Sequence, residues 1–184
     1  MTKNMNEATK VITGEVRFSY LHVFEPVETE SGEAKYSVSL LIPKTDAKTI
    51  NRIHQAVEAA KQAGTAKFGG KIPPVLKLPL RDGDVERPED ETYAGCYFVN
   101  ANCKTRPGLL YRNGQPIIDS TELYSGCYGY ASISFYAFNT SGNKGIACGL
   151  NHLMKTRDGE PLGGRTRAKD DFADLIEEDE DFLG

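Results

Sequence analysis

Cys127-Tyr-Gly-Tyr-Ala-Ser-Ile-Ser-Phe-Tyr-Ala-Phe138 is the stretch that decides how this chain is read. Its odd positions, Cys127, Gly129, Ala131, Ile133, Phe135 and Ala137, are all apolar or small. Its even positions, Tyr128, Tyr130, Ser132, Ser134, Tyr136 and Phe138, mix flat rings with hydroxyls. Successive side chains of a strand point to opposite faces, so this alternation predicts one buried and one open face. The odd set suits the interior of a barrel.

The neighbouring segments follow the same period. Gly95–Lys104 predicts a strand that buries Tyr97, Val99, Ala101 and Cys103 and half-exposes Phe98, Asn100, Asn102 and Lys104. Lys144–Met154 predicts another, joined to the first stretch by a hairpin turn at Asn139-Thr-Ser-Gly-Asn143. Nearer the N-terminus, Lys10–Phe24 places Val16, Phe18, Tyr20, His22 and Phe24 on one apolar side, with His22 read as a semi-buried histidine rather than a ligand. A hairpin loop at Glu28–Glu33 leads to a strand through Tyr36, Val38, Leu40 and Ile42, closed by Pro43. Thr45–Ala63 is the one helix, capped by Thr45 or Asp46, striped by Ile50, Ile53, Val57 and Ala60, and ended by Gly64. Arg81–Thr92 reads as an exposed loop. With 18 Gly, nine Tyr and no Trp in 184 residues, the composition favours one β-rich domain with many turns.

Charge divides the chain sharply. Residues 170–184 hold eight carboxylates and no Lys or Arg, which turns a body of 22 basic and 18 acidic side chains into a chain of net −4. Residues 92–169 carry nine cations against four carboxylates, whereas residues 1–91 balance at 13 against 14. Cations and rings are therefore concentrated together in the second half. Phe172, Leu175, Ile176, Phe182 and Leu183 punctuate the acidic segment, which simple solubilisation does not require.

Several classes are excluded or disfavoured. Cys96, Cys103, Cys127 and Cys148 form no CxxC pair and read as reduced, mostly buried thiols rather than zinc ligands. Lys67-Phe-Gly-Gly-Lys71 fails as a phosphate loop, because Thr65 stands where a Gly is required and Ile72 where Ser or Thr is. No apolar run reaches membrane-spanning or signal-peptide length, which predicts a soluble intracellular protein. No nucleophile–base constellation stands out, and no catalytic residue, metal or cofactor is expected.

Rings alternating with amides, hydroxyls and cations on an open sheet suit unpaired nucleic acid, whose bases stack while its phosphates meet Lys and Arg. The expected stacking residues are Phe98, Tyr111, Tyr128, Tyr130, Tyr136 and Phe138. The expected polar and phosphate contacts are Asn100, Asn102, Lys104, Arg106, Arg112, Lys144 and Lys155. The alternative for the even-face rings is a second small core under the 105–125 loop. The acidic segment, on a linker, is expected to fold back as a tethered competitor of DNA.

A β-rich body with one helix after the early strands, a basic aromatic sheet, Phe-Ala-Asp-Leu and a closing Glu-Glu-Asp-Glu-Asp-Phe resemble the phage single-stranded-DNA-binding proteins of OB-fold type. The likeness is closest to a phage family of about this length first catalogued as a domain of unknown function. It implies a mainly β fold: a five-stranded-type OB barrel, one packed helix and a disordered acidic C-terminal tail. Residues 1–9 would be disordered, 10–155 the binding domain, 156–169 a flexible linker and 170–184 the tail. The resemblance further implies a non-enzymatic protein that coats single strands in replication, recombination and repair, in the bacterial cytoplasm and phage-encoded. Asp179, Glu180, Asp181 and Phe182 would dock DNA polymerase or other replication proteins, although Leu183 and Gly184 follow that Phe. The sequence leaves oligomeric state open. Two other readings remain at this stage: a protein-interaction module, and a metal-dependent nuclease using Asp82, Asp84, Asp119 and Glu122.

Overall fold

The computed structural model describes residues 5–162 and 172–175. A helical turn α1 (Met5–Ala8) precedes β1 (Lys10–Ile12), β2 (Val16–Glu28) and β3 (Ala34–Pro43), followed by helix α2 (Ala47–Ala63). After α2 come β4 (Leu80–Asp82), the short α3 (Gly83–Glu86), β5 (Cys96–Cys103), β6 (Gly108–Tyr111), β7 (Tyr128–Thr140) and β8 (Asn143–Arg157).

The pairings β7-β2-β3-β5-β8 return to β7 and close a five-stranded barrel of OB type. β1 extends β7, β6 runs parallel to the end of β8, and β4 lies on β5. The β5–β8 seam is short, pairing only Ala101 with Cys148 and Asn102 with Gly149. Where these strands part, the 77–82 segment enters: Lys77 bridges Gly145, and Leu80–Asp82 pair with Tyr97–Val99.

The odd positions of β7 from Gly129 to Ala137 are buried, as their alternation predicts, and lie with Val16, Phe18, Leu40, Ile42 and Val99 inside the barrel. Each Val, Leu, Ile or Phe among them contributes about 1.5–3 kcal/mol when fully buried. Leu109, Ile117 and Leu123 belong to this same core, so the 105–125 segment closes the barrel rather than forming a separate core over the even-face rings. The hairpin turn sits at Ser141 (φ 51°) and Gly142 (φ 86°), the left-handed pair that a two-residue hairpin needs.

Helix α2 is capped by Asp46, the later of its two predicted caps. The Asp46 carboxylate accepts from Thr49 N at 3.2 Å, and Gly14 N donates to Thr49 Oγ1 at 2.9 Å, tying the cap to the β1–β2 bend. Ile53, Ala56, Val57 and Ala60 face the barrel. At its end Gly64 approaches β7 so closely that a Cβ there would stand 2.1 Å from that of Ala137.

Four boundaries differ from the sequence reading. Within residues 1–9, Met5–Ala8 form a helical turn rather than unstructured chain. The apolar period of β2 breaks at a bulge between Ser19 and His22, so Tyr20 and His22 face solvent while Val23 turns inward. The 81–92 loop contains α3 and leads to Tyr93, a buried anchor whose hydroxyl lies 3.1 Å from Ser39 Oγ. The body also extends past residue 155. Gly159 O accepts from the Tyr124 hydroxyl, Glu160 O from Arg17, and Leu162 N donates to Ser125 O, so residues 156–162 are strapped to the barrel. The rest of the proposed linker, 163–169, lies outside the described residues.

Candidate nucleic-acid interface

One continuous row of paired residues crosses six strands on the outside of the barrel. His22 pairs with Ser37, Ser37 with Asn102, Asn102 with Gly149, Gly149 with Ser134, and Ser134 with Lys10. Directly paired residues share a face, so these small or polar side chains form one shallow floor with a cation at one end. The floor is level because Gly149 has no side chain and the Tyr136 ring lies over it, 3.6 Å from where a Cβ would stand.

Residues two positions away on each strand wall this floor. Beside β5 they are Asn100 on the strand and Lys104 just past its end, and on β7 they are Ser132 and Tyr136, the last 44% exposed. Burial pushes the Tyr136 hydroxyl above the ordinary phenol range, and the positive charge of Lys104 opposes that shift. Asn151 Nδ2 donates to Ser134 Oγ at 2.9 Å and orders the floor's far side. The structure thus brings together four of the residues named from sequence: Asn100, Asn102, Lys104 and Tyr136.

The other named residues lie elsewhere. Phe98 is a correction: it is fully buried, edge-on to Tyr93 at 5.1 Å and 86°, with Arg81 and Arg87 above its ring, so no base can reach it. Lys155 is a second. Its ammonium is buried, 2.6 Å from Asp158 and donating to Glu122 O, because β8 turns it inward beneath the 119–125 loop. Burial alone would lower its pKa, but the Asp158 hydrogen bond and the neighbouring charges raise it, so it is a structural cation. Tyr128 is half-buried, with the guanidinium of Arg157 3.8 Å and that of Arg17 5.3 Å from its ring centroid, so cations already occupy the space over its ring.

Tyr111 is half-buried against the core near this cluster, and Arg112 is exposed beside it. Tyr130 lines a separate apolar groove of about 370 Å³ with Ile12, Leu110, His152 and Met154. Phe138 is half-buried beside Gly145, near the hairpin tip, where Lys144 donates to Phe68 O at 3.4 Å. Arg106 lies over Phe24 at 5.6 Å. Asp179, Glu180, Asp181 and Phe182 lie outside the described residues; Phe172 and Leu175, which are described, are exposed.

Sequence reasoning missed two features. Tyr20 is 55% exposed at a left-handed φ of 47°, two residues from His22, with Arg87 over its ring at 5.7 Å. Its strand alternation assigned it to the core, and only the bulge reverses that. The second is a strip of cations from the chain's first half: residues 59–81 carry Lys61, Lys67, Lys71, Lys77 and Arg81 and no carboxylate. The backbone of this segment meets the β7–β8 hairpin through Lys77 and Lys144. That absence of acid was visible in the sequence; its meeting with Lys144 was not.

The carboxylates that a nuclease would need are otherwise engaged. Asp82 and Asp84 chelate the Lys44 ammonium at 2.8 and 2.7 Å, which holds both below the usual carboxylate range. Among the described residues no three His, Cys, Asp or Glu side chains converge on a metal position. All four cysteines are free; Cys127 and Cys148 are buried and Cys96 and Cys103 half-buried. Among the described residues no helix is long and apolar enough to cross a membrane.

Comparison with known proteins identifies the fold and the family. The structure of the single-stranded DNA-binding protein from bacteriophage Enc34 in complex with single-stranded DNA superposes with a TM-score of 0.77 at 27% identity, covering 89% of this chain and 97% of that one. Gp2.5, a single-stranded DNA binding protein encoded by bacteriophage T7, shares the fold at a TM-score of 0.61 and 17% identity, covering 92% and 96% of the two chains. Putative protein p50 of Acyrthosiphon pisum secondary endosymbiont phage 1 is 32% identical over 187 residues, 95% of this chain and 98% of its own. Residues 9–183 match the family model described as "Enterobacter phage Enc34, ssDNA-binding protein", and the chain belongs to that family of phage single-stranded-DNA-binding proteins.

Proposed function

We propose that this protein binds single-stranded DNA without sequence preference, laying the strand along the outer band of the barrel. The observation that carries this reading is the continuous row from His22 to Lys10 with Tyr136, Asn100 and Lys104 along it. A ring, amides, hydroxyls and cations on one open face suit stacked bases and tracked phosphates, and the band crosses the β3–β5 surface that OB barrels use for oligonucleotides. Tyr20 adds a second exposed ring beside His22.

In this reading the protein coats unpaired strands during phage replication, recombination and repair in the bacterial cytoplasm. The acidic segment 170–184 competes with DNA for the body's cations and, through Asp179, Glu180, Asp181 and Phe182, docks DNA polymerase or another replication protein. Titration with oligo-dT and with duplex DNA at two salt concentrations tests the first part: tight single-strand binding that weakens steeply with salt is expected, and no binding at low salt refutes it. Deleting residues 170–184 should tighten binding; an unchanged affinity removes the competitor role.

A further inference from the structure

The β2–β3 hairpin carries the wrong charge for a DNA-binding loop. Residues 18–34 contain Glu25, Glu28, Glu30 and Glu33 and no Lys or Arg. β5 joins β3 only from Tyr36 onward, so beyond it the hairpin projects as a two-stranded ribbon whose residues 25–34 are all exposed. This is the first loop of the OB barrel, which ordinarily faces the nucleic acid. Glu33 is matched by Lys35 and Lys104. Glu25, Glu28 and Glu30 make no ion pair among the described residues, and phosphates would be repelled by them.

The strip of cations has the opposite character. Lys71 and Lys77 make no ion pair among the described residues, while Lys67 and Lys144 reach only backbone carbonyls, Ala137 O and Phe68 O. Val75 and Leu78 stand out among them, 84% and 50% exposed, and the hairpin carries Val27 at 45%. Exposed aliphatics serve no purpose against a phosphate chain but do against another protein. No ion pair joins the hairpin and the strip within the described chain.

We infer that the acidic hairpin of one copy docks on the Lys67–Lys144 strip of a second copy of this chain. The two surfaces differ, so the contact is head-to-tail and generates open chains rather than a closed pair. That geometry suits copies lined along a linear strand, where sharing one DNA raises their effective concentration. Only this consequence on DNA rests on the proposed single-strand function; the contact itself does not.

Sedimentation velocity of the full chain at low ionic strength, alone and with long oligo-dT, tests it. The wild type should grow with concentration, and salt should reverse the growth. Glu28→Lys with Glu30→Lys reverses the hairpin, and Lys71→Glu with Lys77→Glu reverses the strip. Each double variant alone should stay monomeric, and an equimolar mixture should assemble again, because every mixed contact then pairs opposite charges. A mixture that fails to assemble, or a wild type that never grows, overturns the proposal. Binding to an oligo-dT short enough for one copy separates the two readings: wild type that does not bind refutes the single-strand function alone. A strip variant that loses about tenfold or more there assigns the lysines to phosphate and refutes the docking.

Discussion

The Arg157 guanidinium lies 3.8 Å from the centroid of the Tyr128 ring and is held there by Glu15, which accepts from both its Nε and Nη2 at 3.1 Å. Arg17 also lies over the ring, at 5.3 Å, and is itself fixed by Gly126 O and Glu160 O. The stack fastens the end of β8 and the 158–162 strap to β2, which makes Tyr128 a packing residue despite its place on the open face of β7.

Tyr128→Ala should therefore lower unfolding stability by about 2 kcal/mol while changing single-strand affinity little. Tyr136→Ala, on the same face eight residues on, should do the reverse, with about 1–3 kcal/mol of affinity lost and little change in melting temperature. Paired thermal melts and oligo-dT titrations check both, and a Tyr128 variant that keeps its stability but loses DNA would reverse the assignment.

Tyr20 holds a left-handed backbone that costs a non-glycine residue about 1–2 kcal/mol. Tyr20→Gly should raise stability or leave it level while weakening oligo-dT binding, and Tyr20→Phe should bind like wild type. Equal affinities for all three would show that the ring does not meet DNA.

The two lysines should separate cleanly. Lys104→Ala, at an exposed cation on the band, should reduce the slope of log affinity against log salt by about 0.7, one single-strand phosphate contact. Lys155→Ala leaves Asp158 without its buried partner and should destabilise the fold, with the salt slope unchanged. Slopes from titrations at several salt concentrations decide the matter.

Acid should loosen the contact between Glu15 and the end of β8. Hydrogen bonds from Thr156, against some opposing burial, and then from Arg157 hold the Glu15 carboxyl below its ordinary value. A carboxylate lowered on folding stabilises the native state above its unfolded pKa, and that contribution is lost as pH falls through its folded pKa. The melting temperature should stay level from neutrality to about pH 5 and fall below about pH 4, with Glu15→Gln showing a shallower fall.

Gly64→Ala should cost about 1–3 kcal/mol in denaturant unfolding, because the new methyl meets the Ala137 Cβ and forces α2 away from β7. Gly32→Ala serves as the control, since open space surrounds that position and only the left-handed φ of 85° resists it.

What could be read from sequence was local. Alternation in 127–138 separated the buried from the open side of β7, Thr45 or Asp46 with Gly64 bounded α2, and Asn139–Asn143 marked the turn, because each depends on neighbours along one strand or helix. Asn100, Asn102, Lys104 and Tyr136 were legible as an open face for the same reason.

Tertiary structure alone decided which open faces stay open. Phe98 has the same alternating neighbours as Asn100, yet the 81–95 segment brings Arg81, Arg87 and Tyr93 over it. Lys155 is one cation among nine in its half of the sequence, and only the fold of residues 119–125 over β8 buries it. A bulge of β2 moved Tyr20 from core to surface, since one irregular residue inverts every face assignment after it. The row from His22 to Lys10 gathers residues from six strands that are far apart in sequence, and its register exists only once the barrel has closed.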